Sequence, residues 1–414
     1  MRIVADLHIH SKYSRATSDK MDIETISEQA KIKGLNIIGT GDFTHPKWFA
    51  ELKSKLVKDG DLYVHNGIHF VPQTEISSIY TDGNACRKIH NCIMCPDLET
   101  AEQVTEWLKT KGRVDYDGRP IFKIPCPELV EKVMSINKDN FVFPAHIWTP
   151  WFSLFGSESG FDRIEDCYKD QTKHIHALET GLSSDPEMNW RLSQLDKFAL
   201  ISNSDCHSPW PYRLGREANV FELSKPSYKE MIEALKSKNP KHFLYTLEVD
   251  PSYGKYHFDG HRNCNIELSP EESTKHNNIC PICKTKLTLG VLHRVKQLAD
   301  RENGFVPKNA IPFKKILPLQ EIIAVISGTQ VFSVAVAKTY NKLIAEFGNE
   351  LNILMETSFE RLKEASDENL ARAIILNREN KINVKPGYDG VYGIPSFGSE
   401  INVKKKRQSS LAEF

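Results

Sequence analysis

Hydrophobic and polar positions along the first 250 residues fall into short apolar, β-rich runs separated by helical or loop stretches, a pattern that predicts a parallel sheet or barrel. Strands are predicted at residues 3–9, 36–42, 70–76, 91–94, 141–147, 176–180 and 198–204. Between the first two, Ile23, Ile26 and Ala30 recur at helical spacing, and Gly34 supplies a stop. Seven strands suggest an α/β barrel one unit short of the eight-stranded kind. After Asp250 the pattern changes to a short polar stretch rich in His and Cys, and residues 291–299 read as helical. From Leu319 to Leu376 apolar residues such as Ile322, Ile326, Leu343 and Phe347 recur at the 3.6 period, which predicts a helical C-terminal domain. A Gly/Tyr-rich segment from Pro386 to Gly393 and a basic tail follow. The predicted organisation is a catalytic barrel over 1–250, a small module over 251–295, a helical domain over 296–400 and a tail over 401–414.

Composition changes this picture little. With 40% hydrophobic and 26% charged residues, the chain is expected to be an ordinary soluble, cytoplasmic protein, and no apolar run approaches the roughly 18 residues of a membrane helix. Lys plus Arg and Asp plus Glu both total 54, so only a local cluster could attract a polyanion. One stands between residues 284 and 315: Lys284, Lys286, Arg294, Lys296, Arg301, Lys308, Lys314 and Lys315 against Asp300 and Glu302. This stretch is either a solvated face or a contact for a phosphate backbone, with Arg294 a candidate.

Candidate chemistry sits at predicted strand ends. His8 and His10, two apart on a strand, point to one face. Asp42 and His45, Glu75, His146, and Asp205 with His207 fall at or just past other strand ends, and His90 falls just before one. The C-terminal ends of parallel barrel strands converge on one mouth, so these residues can form one metal cluster. Mixed nitrogen and oxygen donors suit Zn2+, Mn2+ or Fe2+, with Mg2+ also allowed. Such clusters hydrolyse phosphate esters; Glu75 is the candidate bridging carboxylate and Asp205 the second catalytic candidate. Glu179 is either an extra ligand or the partner that orients one.

The run Asp6-Leu7-His8-Ile9-His10-Ser11, with Gly41-Asp42, Glu75, His90, His146 and Asp205-x-His207 in that order, resembles the PHP (polymerase and histidinol phosphatase) motifs over about the first 220 residues. That resemblance implies a distorted seven-unit (β/α) barrel and a site for up to three metals. Relatives carry an Asp-His pair where this chain has Asp42-Phe43, so either Asp42 ligates or His45 swings in; Asp42 is favoured.

A second constellation, His261-x2-Cys264 followed by Cys280-x2-Cys283, has the spacing of a structural zinc site. His257 and His276 compete with His261 for the fourth position. Past His146, the aromatics Trp148, Trp151, Phe152 and Phe155 could receive an extruded base or could pack their loop. The pieces Tyr256–Arg262, Gly290–Arg294 and Lys385–Gly393 extend the resemblance over nearly the whole chain, to the endonuclease Q family of PHP-domain DNA repair enzymes. It implies metal-activated hydroxide attack on DNA 5′ to a deaminated base (hypoxanthine or uracil) or an abasic site, leaving 3′-hydroxyl and 5′-phosphate ends. A histidinol-phosphatase type of small-molecule enzyme and a metal-free DNA-binding protein are the alternatives. Gln408, Leu411 and Phe414 resemble a Gln-x-x-Leu-x-x-Phe peptide for a ring-shaped sliding clamp.

Overall fold

The computed structural model of the chain describes residues 1–398 and 401. An eight-stranded sheet runs in the order 313–315, 243–248, 218–222, 2–6, 37–39, 68–71, 62–65, 57–59, beside a four-stranded sheet of 121–122, 73–82, 85–94 and 141–144 and a pair of 177–179 with 199–201. Inward residues from all three, among them Ile3, Ile37, Val71, Phe143, Ala177, Ile201 and Phe221, meet in one core cluster. A second cluster joins other strand residues, such as Ile38, Phe70, Ile93 and Leu178, to the helices packed on them and continues into the C-terminal helices through Ile322, Leu343 and Ile374. No helix among the described residues is long and apolar enough to cross a membrane.

The parallel order expected from the alternation holds for strands Arg2–Asp6, Ile37–Gly39 and Ile68–Val71 and for the pair Ala177–Glu179 and Ala199–Ile201. Elsewhere the sheets are mixed. Strands Gln73–Asp82 and Ala85–Met94 form a long antiparallel hairpin. Gly83 there takes φ +59, the left-handed conformation that a two-residue hairpin loop requires at its first position. His90 therefore lies inside a strand rather than before one. The first strand ends at Asp6, short of the expected residue 9. Side chains replace the ladder beyond it: Asn203 Oδ1 accepts from the Leu7 amide at 2.9 Å, and Asp6 accepts from the amides of Ser204 and Gly215. The strands at 62–65, 218–222 and 243–248 were not foreseen.

The C-terminal region is helical, with helices Leu319–Ser327, Val334–Phe347, Glu350–Met355, Phe359–Ala365 and Glu368–Arg378. Strand Phe313–Lys315 leads into it and is itself a member of the large sheet. A buried polar contact ties the C-terminal helices to helix Ile23–Lys33 of the N-terminal part. Lys33, 1% exposed at the end of helix Ile23–Lys33, donates to Glu350 Oε1 and to the Pro211 carbonyl, both at 2.8 Å. Glu350 also accepts from the Leu319 amide and the Tyr340 hydroxyl, so both its oxygens are engaged.

Candidate metal centre and substrate cleft

Four donors, on His8, His10, Glu75 and Asp205, lie within 4.8 Å of one another, and a second group of Glu75, His90 and His146 meets the same criterion. Glu75 belongs to both. Its Oε2 stands 3.2 Å from His10 Nε2 and 3.8 Å from His8 Nε2, while Oε1 stands 2.7 Å from His90 Nδ1 and 3.2 Å from His146 Nε2. The hairpin makes this possible: His90 pairs with Ser77 and Cys92 with Glu75, so Glu75 and His90 are diagonal neighbours on one face. Asp205 is tied to the first segment by its own amide, which donates to the His8 carbonyl at 3.0 Å. Asp42, His146 and Asp205 all adopt positive φ, at 46°, 31° and 46°. Such strain in non-glycine residues persists only where surrounding structure enforces it.

Behind the donors stands a ring of carboxylates. His8 donates from Nδ1 to Glu179, 3.0 Å from both its oxygens, which fixes the tautomer that leaves Nε2 with a free lone pair. That Nε2 is buried and has no hydrogen-bond partner. A buried, unpartnered imidazole nitrogen aimed at two carboxylates is the donor a divalent cation would use. Glu179 also accepts from the His146 amide and from Asn203. Asp42 takes the matching place behind His10: Oδ1 is 3.0 Å from Nδ1, and Oδ2 accepts from Ser11 and Ser14. With both oxygens so engaged, Asp42 is not brought into either donor group, contrary to the expectation that it ligates directly.

His207 packs its ring 4.5 Å from that of His10 and lines the cleft, but it too lies outside the two groups. His45 stacks on Tyr13 and stands just before helix Pro46–Lys55, without a side-chain capping bond. Burial alone would lift the Glu75 carboxyl, yet His90 and Arg119 beside it hold it well below the ordinary range. Burial likewise opposes ionisation of Asp205, and the His10 hydrogen bond overrides it. Burial pushes His90 down to about 4, against the pull of Glu75, so this imidazole is neutral and ready to donate a lone pair near pH 7.

The donors open into a cleft of about 600 Å3 lined by His90, His146, Phe152, Asp205, His207, Arg213, Arg216, Lys255, Tyr256 and Tyr392, among others. Its basic lining was not anticipated. Lys255 and Arg213 both lie over the Tyr392 ring, at 4.6 and 5.9 Å. The Gly/Tyr segment reaches the cleft because Gly387 and Gly393 press directly on the backbone of 252–254, where any side chain would clash: an added Cβ would sit 2.3 Å from a carbonyl oxygen at either position.

The expected aromatic cluster divides. Trp151 is 39% exposed and meets Tyr256 edge-on, and Phe152 packs on His90; both line the cleft. Trp148 is 1% exposed, donates to Asn189 and packs on Phe155. It is a core residue and cannot stack on a base. Arg294 is also corrected: it donates to the carbonyls of Phe155 and Phe161 and pairs with Asp162, fastening the aromatic loop rather than presenting charge. The same holds for much of its basic stretch, where Lys286, Lys296, Arg301 and Lys315 pair with Glu158, Glu271, Asp196 and Asp185.

A separate group joins His261, Cys264, Cys280 and Cys283, again within 4.8 Å. His261 Nδ1 is 3.3 Å from Cys283 Sγ. His276 caps a helix, and His257 is buried against Phe258, so neither enters this group. The Thr285 hydroxyl and amide lower the Cys283 thiol to about 6, close to the thiolate a metal needs. Missing from the sequence reading were Arg119, whose Nη1 lies 3.2 Å from Glu75 Oε2, and the cleft cations Arg213, Arg216 and Lys255. Arg213 and Arg216 follow Asp205-x-His207 closely enough that proximity could have flagged them. Arg119 stands in an aperiodic loop with no such flag.

A family described as the MJ0043 C-terminal domain matches residues 318–381. The chain is similar to the lesion-specific endonuclease PfuEndoQ from Pyrococcus furiosus, at 32% identity and a TM-score of 0.87 over 100% of this chain and 99% of that one. It is similar, again at 32% identity, to endonuclease Q in complex with a 27-mer duplex substrate with an abasic lesion at the active site; the TM-score is 0.88 over 99% and 100% of the two chains. Protein MJ0043 of Methanocaldococcus jannaschii, itself uncharacterized, is 34% identical over 255 residues, 60% of this chain. The match covers 31% of MJ0043, so the chain spans less than a third of that relative.

Proposed function

The chain belongs to the endonuclease Q family, and from that membership we propose that it is a metal-dependent DNA repair endonuclease that cuts the phosphodiester 5′ to an abasic site or a deaminated base, hypoxanthine or uracil. The observation that carries the reading is the position of Glu75, whose two oxygens face two separate donor groups. A site for two cations uses a carboxylate placed in this way.

His8, His10, Glu75, His90, His146, Asp205 and His207 would hold the ions, with Glu179 and Asp42 orienting His8 and His10. Bound divalent ions supply Lewis acidity to the phosphate oxygens and lower the pKa of water. The protein's own part is placement. Glu179 and Asp42 fix imidazole tautomers, Arg213, Arg216 and Lys255 draw the backbone into the cleft, and Trp151, Phe152, Tyr256 and Tyr392 offer faces to an unstacked base. His261, Cys264, Cys280 and Cys283 would close a tetrahedral structural zinc site. We read the ligand-bearing strands as the distorted seven-unit barrel over 1–250, with the zinc module at 251–295 and the helical DNA-binding domain at 296–400. The clamp peptide of Gln408, Leu411 and Phe414 lies outside the described residues.

End-labelled duplexes carrying one abasic site, deoxyinosine or uracil, with and without chelator, test the reading. Chelator-sensitive incision on the 5′ side supports it. Release of phosphate from histidinol phosphate with every duplex intact would replace it with a small-molecule phosphatase, and binding without incision would replace it with a metal-free DNA-binding protein.

A further inference from the structure

The loop Asp117-Gly118-Arg119-Pro120 is held against the donor cluster from several sides. The Gly118 amide donates to the Tyr13 carbonyl at 3.0 Å, the Ser77 amide donates to the Pro120 carbonyl at 3.1 Å, and Asp117 Oδ1 accepts from the amides of Arg15 and Arg119 at 3.2 Å each. Gly118 is indispensable here, since a Cβ would lie 2.3 Å from Asp42 Oδ2 and 2.4 Å from Ser14 Oγ. The loop therefore lies flat on the residues that orient His10. It delivers the Arg119 side chain, 27% exposed, with Nη1 3.2 Å from Glu75 Oε2, the same oxygen that faces His10 Nε2 at 3.2 Å. Nε and Nη2 donate to no protein group among the described residues.

The guanidinium pairs with Glu75 in the metal-free protein, but cations held by the donors around Glu75 would neutralise that carboxylate themselves. Once the donors hold cations, a fixed positive charge beside them is repulsive. The repulsion becomes an attraction only when an anion arrives between them. Arg also presents a planar fork whose unused donors match the oxygens of a phosphate.

We propose that Arg119 is a catalytic residue that grips a non-bridging oxygen of the scissile phosphate and stabilises the charge that develops there. The inference rests on the endonuclease reading above. In the step it serves, water gives up a proton to solvent as its oxygen forms a new bond to phosphorus, while the bond to the 3′ oxygen breaks. The leaving oxygen keeps the bonding electron pair and takes up a proton, giving the 3′-hydroxyl and 5′-phosphate ends. The equatorial oxygens gain charge on the way, and a positioned donor aimed at one of them acts mainly on the transition state.

The test uses the full chain, an abasic-site duplex and the variants R119A, R119K and R119Q, with kcat, KM and metal content measured for each. R119A is expected to lose about 10^2- to 10^3-fold in kcat while KM stays within about threefold and metal content is unchanged. Added guanidinium ion should restore part of the rate to R119A. R119K should remain at least about tenfold slow, because an ammonium lacks the fork. Should R119A not fold, R119Q carries the same measurements. Incision by R119A at the wild-type rate overturns the proposal, as does a loss of metal that parallels the loss of activity, which would make Arg119 only a support for Glu75. Wild-type protein that cuts no lesion duplex overturns the endonuclease reading, and this proposal with it.

Discussion

Two clusters of metal-type donors occur among the described residues, and they are built from different materials. The Cys/His group draws all four side chains from a short excursion at 261–283, with Cys264 part-exposed and Cys283 exposed. It has no ring of orienting carboxylates; its support is a turn, in which the Cys280 amide donates to Thr285 and the Lys284 amide to Cys280. The His/carboxylate cluster draws donors from five places between His8 and Asp205, all but Asp205 and His146 buried in a wall of strands, and backs its imidazoles with Glu179 and Asp42. A closed set of four soft ligands organises a polypeptide too polar to fold alone. A dispersed set with an open cleft in front leaves coordination positions for a substrate.

The sharpest way to break this contrast is to remove one member of each cluster. Asp205→Asn is expected to lower incision by at least about 10^4-fold, comparable to loss of a central catalytic group, while gel-shift affinity for an abasic duplex and the melting temperature change little. Retained incision would move the chemistry elsewhere. Cys280→Ser should show the opposite profile: loss of zinc by mass spectrometry and a lower melting temperature, with incision falling only as far as folded protein is lost. Glu179→Ala sharpens the comparison by removing a support rather than a ligand. Its effect should be about 10- to 100-fold in metal affinity, read by metal titration of activity. Full activity at limiting metal would show that His8 needs no partner on Nδ1.

The smallest expected effect concerns the wall rather than either cluster. Glu217 and Glu248 are fully buried side by side, and burial lifts both, Glu248 to about 8 with Asp185 adding to the rise. A carboxyl raised in the fold keeps its proton where the unfolded chain has lost it. Its contribution to stability is therefore whole below about pH 4.5 and drains away as pH climbs through about 8. Thermal melts from pH 6 to 9 should fall steadily, and Glu248→Gln should flatten the slope. An unchanged slope would mean that this pair does not carry it.

Much of the His/carboxylate cluster was legible because its members sit where chain periodicity changes, at the ends of apolar runs. Glu75, His8 and His10, whose donor atoms the structure brings together, could be singled out on that basis, and Glu179 could be narrowed to two roles. For Asp42 a strand end locates the Cα but not whether the carboxylate points at a metal or, as it does here, at an imidazole. The hairpin at Gly83 was missed because its two strands were read as separate parallel units, although Asp82-Gly83 is a turn pair. Trp148 and Arg294 failed for a shared reason: an aromatic or a basic residue near a site carries the same letter whether it faces solvent or fastens a loop. The Cys/His group was the easier half, since thiol spacing leaves few geometries. His261 over His257 and His276 needed coordinates.

The salt link from Lys33 to Glu350 sets a limit on dissection. Its lysine ends helix Ile23–Lys33 and its acid stands in the C-terminal helices, and breaking such a buried pair from one side costs about 3–5 kcal/mol. A chain truncated before the helices would keep the Lys33 bond to the Pro211 carbonyl but lose its carboxylate partner Glu350 and the helices that cover the ammonium. The catalytic unit is thus not a portable cassette. Evolution can exchange the cleft loops, but the strands that carry the donors and the C-terminal helices must be inherited together.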